Sequence, residues 1–382
     1  MASGSSTGLI WTNETLQPLR SVGDPLADAV ITELFADGGV DAMNALMREF
    51  VANEHPVPAS LPAPVRDYLE QSSLLPAWAD QAMIDAGSDV FWRFGPRIIL
   101  ILCCYSLPFC YLGKNGVPVL ALTNRLGSNS RRRIVETAQM VVDCLHTGGL
   151  TSPQGRGRLT IQKVRLMHAA IRRLAPTAPT YLPEFGMPVN QEDLAGTLMS
   201  FSWIGIDGLL KLDIPLTAHD QQAYLHTWNV IGHMLGVQDG LLPATPAEAK
   251  ALTNAIAVHQ FGPTQDAKDL TAALIDMMAH VLPGNIFDHV PSLMIRYFLG
   301  KQQASWLGVE DGRIADLMAA PLRLLGREFG SVIEDSRVVG DIAERAGQAL
   351  INSILCVERG GNRPGFAIPQ QLKEVWGVNW TS

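Results

Sequence analysis

The sequence predicts an all-α protein, and three observations support this prediction. Apolar residues recur at three- and four-residue spacings along most of the 382-residue chain. Serine, threonine, aspartate or asparagine precedes many of these stretches, and glycine or proline follows them, as is typical of helix ends. No run of alternating apolar and polar residues is long enough to indicate a β-strand.

In chain order, residues 1–24 predict an extended N-terminal arm and residues 25–382 a single all-helical domain. Residues 57–64 are rich in proline and predict a loop within that domain, and residues 111–127 predict a loop-rich segment. Thr160 is expected to cap a helix that ends by Pro176. The other predicted helices are 25–52, 65–71, 80–88, 89–105, 130–146, 191–210 after Asn190, one after Thr217, one after Thr245 to 261, 265–281, 291–300, 311–330 and 336–359.

The composition excludes some classes of function. Hydrophobic residues make up 47% of the chain and charged residues 17%, well below the ~25% of an average soluble protein. A net charge of −8 argues against a general nucleic-acid binder, which needs basic surface. Lysine and arginine nevertheless concentrate between residues 125 and 173, opposed only by Glu136 and Asp143. This basic block indicates either a local anionic ligand or a solvated helix face paired with carboxylates elsewhere.

Targeting and cysteine patterns add further expectations. Residues 1–6 lack the basic start and apolar stretch of a signal peptide, so we expect a cytoplasmic protein, or a secreted one whose export signal has been removed. The apolar segment 98–112 is short and contains Pro108, which predicts a buried helix and no transmembrane span. The five cysteines form no CxxC pair and predict buried free thiols. The pattern leaves the oligomeric state open.

One histidine stands out by its surroundings. Val164 and Ile171 place apolar groups near His168 on its predicted helix, and Arg165 and Arg172 place cations there. Such a face suits a haem, with the imidazole on the iron and the two arginines towards the propionates. A CxxCH attachment motif is absent, so a haem would be held non-covalently. By this spacing alone, a histidine buried in the core is the commoner outcome.

The segment around His168 also resembles a known family. His168-Ala-Ala-Ile-Arg172, preceded by Val164-Arg165, resembles the HAAVR-type motif of the latex-clearing proteins, also called rubber oxygenases. Arg133 and Thr137 resemble the arginine–threonine element of that family and of the broader MpaB-like oxygenases. Three further matches follow in the same order, namely Trp228-x-x-x-Gly232, Gly236-Val237 and Leu242-Pro243.

The resemblance implies an all-helical fold with a globin-like core that binds haem b. It implies that His168 is the proximal iron ligand and that Arg133 and Thr137 lie near the distal pocket. It also implies oxidative cleavage of C=C bonds by O2 in a hydrophobic substrate, a small molecule or a polymer of the polyisoprenoid kind. The chain departs from the family at one position, since the lysine that precedes the family's threonine is Glu136 here.

This departure keeps several functions open. A carboxylate accepts and returns a proton, whereas a lysine ammonium cannot accept one, so Glu136 suits a peroxide-dependent peroxygenase or peroxidase as well as an oxygenase using O2. Glu136 is equally suited to an ion pair with Arg132 or Arg133 on its own helix. The remaining alternatives are a non-catalytic haem- or gas-binding protein and a helical protein without a cofactor. Residues 191–210 predict either a tunnel for a hydrocarbon or ordinary core.

Overall fold

The structure is a computed structural model that describes residues 11–37, 41, 62–125, 130–152, 155–281 and 290–309. Within these ranges the protein is all-α, as predicted, and a single β-bridge joins Gly113 to Phe261. The first seven helices are α1 (Asn13–Leu16), α2 (Pro25–Asp37), α3 (Ala63–Ser72), α4 (Gln81–Ile101), α5 (Leu107–Tyr111), α6 (Val117–Arg125) and α7 (Ser130–Leu145). The next seven are α8 (Arg156–Leu174), α9 (Gln191–Phe201), α10 (Trp203–Lys211), α11 (Ala218–Met234), α12 (Pro246–Gln260), α13 (Gln265–Val281) and α14 (Val290–Trp306).

Helices α4 and α11 form the largest helix–helix contact of the described chain. Helix α4 bends at Phe94, just before Pro96, because proline removes a helical hydrogen bond and its ring presses on the preceding turn. It then continues through a π-helical turn, Leu102–Ser106, into α5. By length and composition this continuous helix is apolar enough to cross a membrane, but most of its apolar stretch is buried inside the fold. The prediction that residues 98–112 are buried is therefore confirmed.

The close approach of α4 to α11 depends on Gly87. A Cβ atom at this position would lie 2.2 Å from the Thr227 Oγ1 atom and 2.6 Å from the Ala223 carbonyl oxygen. We therefore expect Gly87→Ala to lower the free energy of unfolding by about 1–3 kcal/mol, because the two helices must move apart. Gly95→Ala, on the same helix, is the matched control. Apart from its chain neighbours and the backbone of its own helix, no atom of the described residues lies within 4 Å of its added Cβ. Equal midpoints of thermal unfolding for the two variants would contradict this account of the interface.

The N-terminal segment differs from its prediction. Residues 13–21 are helical rather than extended, as α1 and a 3₁₀ turn, Gln17–Ser21. Thr12 and Thr15 form a reciprocal capping box at the start of α1. Leu16 is fully buried against the rest of the protein. For residues 13–21 the expectation of an extended arm was wrong, because it overlooked this cap and the buried Leu16 that follows it, whereas residues 1–10 lie outside the described residues.

Three local predictions also need correction. Helix α6 occupies most of the segment predicted to be loop-rich, and its Pro118 lies in the first helical turn, where proline is tolerated. The predicted helix 191–210 breaks at Ser202, whose hydroxyl donates to the Leu198 carbonyl oxygen at 3.0 Å. Thr160 lies inside α8 and caps nothing.

Other local predictions hold. The side chains of Asn190, Thr217 and Thr245 cap α9, α11 and α12, as expected from their positions. Of the five cysteines, Cys103, Cys104, Cys110 and Cys144 are free thiols, and all but Cys110 are fully enclosed. Cys356, the predicted helices 311–330 and 336–359, and most of residues 38–61 lie outside the described residues.

Candidate functional site

Helices α7 and α8 form the hairpin that carries the residues predicted for the site. The Thr160 hydroxyl donates to the Asp143 carboxylate at 3.1 Å, which fixes the relative height of the two helices. Glu136 lies about 10.5 Å from Asp143 along α7, and His168 lies about 12 Å from Thr160 along α8, at ~1.5 Å per residue. Glu136 and His168 therefore lie at similar heights on neighbouring antiparallel helices.

One ring nitrogen of His168 is buried and lacks a hydrogen-bonding partner, while the residue as a whole is half-buried. Its Nδ1 atom is buried and contacts no donor or acceptor among the described residues. Burial and, to a smaller extent, the positive charge of Arg172 lower the pKa of His168 to about 4, although the negative charge of Asp24 partly opposes them. The imidazole is therefore neutral at pH 7, which is the form that ligates metals.

Arg165 lies one turn before His168, and each of its three guanidinium nitrogens donates a hydrogen bond. Its Nε and Nη2 atoms donate to the two carboxylate oxygens of Asp24, at 2.6 Å and 2.8 Å. Its Nη1 atom donates to the Met234 carbonyl oxygen, at the end of α11, at 3.2 Å. The predicted contact of Arg165 with a haem propionate stays a prediction, and this ion pair is a competing use of the same cation.

Arg172, one turn after His168, is bonded only in part. Its Nε atom donates to Asp28 at 2.7 Å and its Nη1 atom to the Val189 carbonyl oxygen at 2.9 Å. Val189 has a φ of 51°, which is unfavourable for a β-branched residue, so this bond helps to hold a strained loop. The Nη2 atom of Arg172 is buried with no partner among the described residues. It is a donor left available to an anionic ligand.

The residues predicted for the distal side lie on α7. Glu136 and Thr137 are half-buried there, at the height of His168. Arg133 belongs to the same helix, one turn before Glu136, but its side chain lies outside the described part of the protein. The hairpin thus brings Glu136 and Thr137 near the level of His168, and the catalytic roles of these residues stay predictions.

Sequence reasoning missed Asp24 and Asp28, the two carboxylates that bind the arginines flanking His168. They stand four residues apart at the start of α2, and Asp28 accepts a hydrogen bond from the Asp24 backbone N–H at 2.9 Å. Acidic residues are common in the first turn of a helix for local reasons, so this spacing gave no signal of a distant partner.

The comparison with known families settles the class of protein. The family described as "ER-bound oxygenase mpaB/B'/Rubber oxygenase, catalytic domain" matches residues 118–329, more than half of the chain. The chain belongs to this family. Its catalytic-domain match confirms the resemblance and makes the protein an oxygenase. The matched part contains α7 and α8 with all the predicted site residues, whereas Asp24 and Asp28 lie outside it.

Individual members of the family agree with this assignment. A rubber oxygenase of Streptomyces sp. (strain K30) is 29% identical over 322 residues, which is 80% of this chain and 76% of that protein. The solved structure of a latex clearing protein in the closed state matches with a TM-score of 0.75 and 25% sequence identity. That match covers 92% of this chain and 95% of the other, and it agrees with the all-α fold of the described residues.

Proposed function

We propose that the protein is a haem b-dependent oxygenase that uses O2 to cleave C=C bonds in a hydrophobic, polyisoprenoid-like substrate. Membership of the oxygenase family supports the reaction class. The names of the two relatives, rubber oxygenase and latex clearing protein, support the substrate class. The observation that carries the choice of cofactor is the neutral imidazole of His168, whose Nδ1 atom is buried, so that the other ring nitrogen is the one left for a metal.

A haem fits the residues present around His168. Among the described residues, no group of three or more histidine, cysteine, aspartate or glutamate side chains is placed to hold a metal ion. A haem iron fits this setting, because the porphyrin supplies most of its ligands and a single side chain of the protein completes them. His168 would hold the iron from the proximal side, and the free Nη2 donor of Arg172 would meet a propionate. Bound there, haem b supplies the iron that activates O2.

The chain's own contribution to the chemistry is the control of protons and water. Glu136 is the titratable group on α7 at the height of His168, and its carboxylate can accept a proton from the reacting substrate and return it to the product. Arg133 belongs to the preceding turn of α7 and is the cation that the family resemblance implies near the distal pocket. The hydroxyl of Thr137 both donates and accepts hydrogen bonds and is suited to orient a polar group beside Glu136.

A second function is favoured by the same carboxylate. Because Glu136 replaces the lysine of the latex-clearing proteins, the site is also suited to peroxide as oxidant, in a peroxygenase or peroxidase reaction. The deciding experiment measures O2 uptake and carbonyl products with polyisoprene or an isoprenoid oligomer, in parallel with peroxide-driven oxidation of a small aromatic. We expect turnover in the first assay. Turnover only in the second favours the peroxide reaction, and reversible O2 binding without turnover favours a gas-binding protein.

The role of Glu136 is tested by Glu136→Gln, which keeps the shape of the side chain and removes the proton acceptor. We expect kcat for C=C cleavage to fall by roughly 10²- to 10⁴-fold, with the absorption spectrum of the haem unchanged. Glu184→Gln is the control, because it also removes one carboxylate but at an exposed position outside the proposed site. If Glu136→Gln keeps full kcat and only lowers the thermal midpoint, Glu136 serves an ion pair rather than catalysis.

A further inference from the structure

Asp24 and Arg165 form an ion pair that is joined by two hydrogen bonds. Asp24 is buried, and each of its carboxylate oxygens accepts a hydrogen bond from the same guanidinium. The planar fork of arginine matches a carboxylate in this two-point geometry, which a lysine cannot reproduce. Because Met234 accepts the third hydrogen bond of Arg165, the pair is fixed to the end of α11 as well as to α8.

Gly236 lies close to this ion pair, and Gln191 binds the backbone beside it. Gly236 has a φ of 88°, and a Cβ atom there would lie 2.5 Å from a carboxylate oxygen of Asp24. Only glycine therefore allows the backbone to pass so close to the ion pair. The side-chain amide of Gln191 donates to the carbonyl oxygens of Gly23 and Gly236, at 2.9 Å and 2.8 Å. The N-terminal segment is thus held against α8 where His168 lies.

The hydrogen bonds of Asp24 decide whether it can also accept one from the His168 ring. A histidine that ligates a metal usually donates its other ring N–H to a carboxylate or a carbonyl, which makes the imidazole a stronger donor to the metal. Asp24 is the carboxylate held against α8 one turn before His168, through its two hydrogen bonds from Arg165. Both of its oxygens already accept from Arg165, and the Nδ1 atom of His168 has no partner among the described residues.

We propose that Arg165 is a positioning residue that keeps His168 a weakly donating axial ligand, by holding both carboxylate oxygens of Asp24 away from the Nδ1 atom. The inference rests on the proposed function in one respect, namely that His168 ligates the haem iron. It gives Arg165 a role other than the propionate contact expected from the sequence. It also explains why a carboxylate from outside the matched catalytic domain is buried beside the site.

The test is Arg165→Gln, which frees Asp24 to accept the Nδ1 proton of His168 in a hydrogen bond. In the haem-loaded ferrous protein we expect the iron–histidine stretching frequency, measured by resonance Raman spectroscopy, to rise. We expect the midpoint potential of the haem to fall, because a stronger donor stabilises the ferric state. The double variant Arg165→Gln/Asp24→Asn is the matched control and should return the frequency to the wild-type value, since the amide is a poorer acceptor than the carboxylate.

Arg165→Lys provides a second route if Arg165→Gln does not fold or load haem. It keeps the positive charge but engages Asp24 at one point, so a smaller shift in the same direction is expected. An unmoved frequency and potential in a folded, haem-loaded Arg165 variant overturns the inference and leaves the proposed function intact. A wild-type protein that binds no haem overturns the proposed function, and the inference with it.

Discussion

Replacing His168 with alanine is expected to remove the Soret absorption of the purified protein. His168 is the only protein ligand that we assign to the haem iron, and its imidazole is neutral, with a buried Nδ1 atom that leaves the other ring nitrogen for the iron. The haem would lose its axial bond, while the apolar and cationic surroundings alone hold it weakly. The measurement is the absorption spectrum of the variant after purification and reconstitution with excess haem b.

Two further variants distinguish loss of the iron ligand from unfolding of the protein. His168→Gly leaves room for free imidazole, which should restore a Soret band in a folded protein. His219→Ala, at an exposed position of α11, removes a histidine with no assigned role and should keep the wild-type spectrum. An unchanged Soret band in His168→Ala would show that another residue holds the iron, or that the haem binds elsewhere.

Removing the charge of Arg20 is expected to have the largest effect on stability. The side chains of Arg20 and Glu192 are 4% and 0% exposed, and Arg20 Nη1 lies 3.3 Å from Glu192 and 3.0 Å from Asp193. Arg20→Ala leaves Glu192 buried with His259 and Gln260 as its remaining partners, and it leaves Asp193, whose side chain is 18% exposed, without this cation. The loss in the free energy of unfolding should be about 3–5 kcal/mol, the usual range when one partner of a buried pair is removed.

The control for Arg20 is an ion pair of the same type at the surface. Arg93, whose side chain is 50% exposed, pairs with Asp220. Arg93→Ala should cost only about 0–1 kcal/mol. Both variants are compared with the wild type by denaturant unfolding. Equal losses for Arg20→Ala and Arg93→Ala would mean that residues 12–24 are not an integral part of the folded core.

The structural features that the sequence predicted are those set by residues close together in the chain. The caps at Asn190, Thr217 and Thr245 and the apolar spacing of the helices are local, so the fold class and many helix starts followed from them. The place of the N-terminal segment depends on partners far along the chain. Asp24 and Arg165 are 141 residues apart, and no periodicity predicts such a pair.

The candidate site also combines features that the sequence predicted with features that it did not. The resemblance placed His168 and Thr137 in one site, and the contact between Asp143 and Thr160 brings α7 and α8 into the register that this needs. The sequence also predicted an anion beside Arg165 and Arg172. It gave no means of telling a propionate from a carboxylate of the same chain, because both are acceptors with the same geometry. The structure supplies Asp24 and Asp28 at these positions.

The central claim is that this oxygenase works through a haem held by His168. The most direct test is the absorption spectrum of the purified wild-type protein together with its pyridine haemochrome, which identifies the haem type and amount. The account predicts a Soret band and haem b equimolar with the chain after reconstitution. A protein that takes up no haem yet consumes O2 with polyisoprene would contradict it.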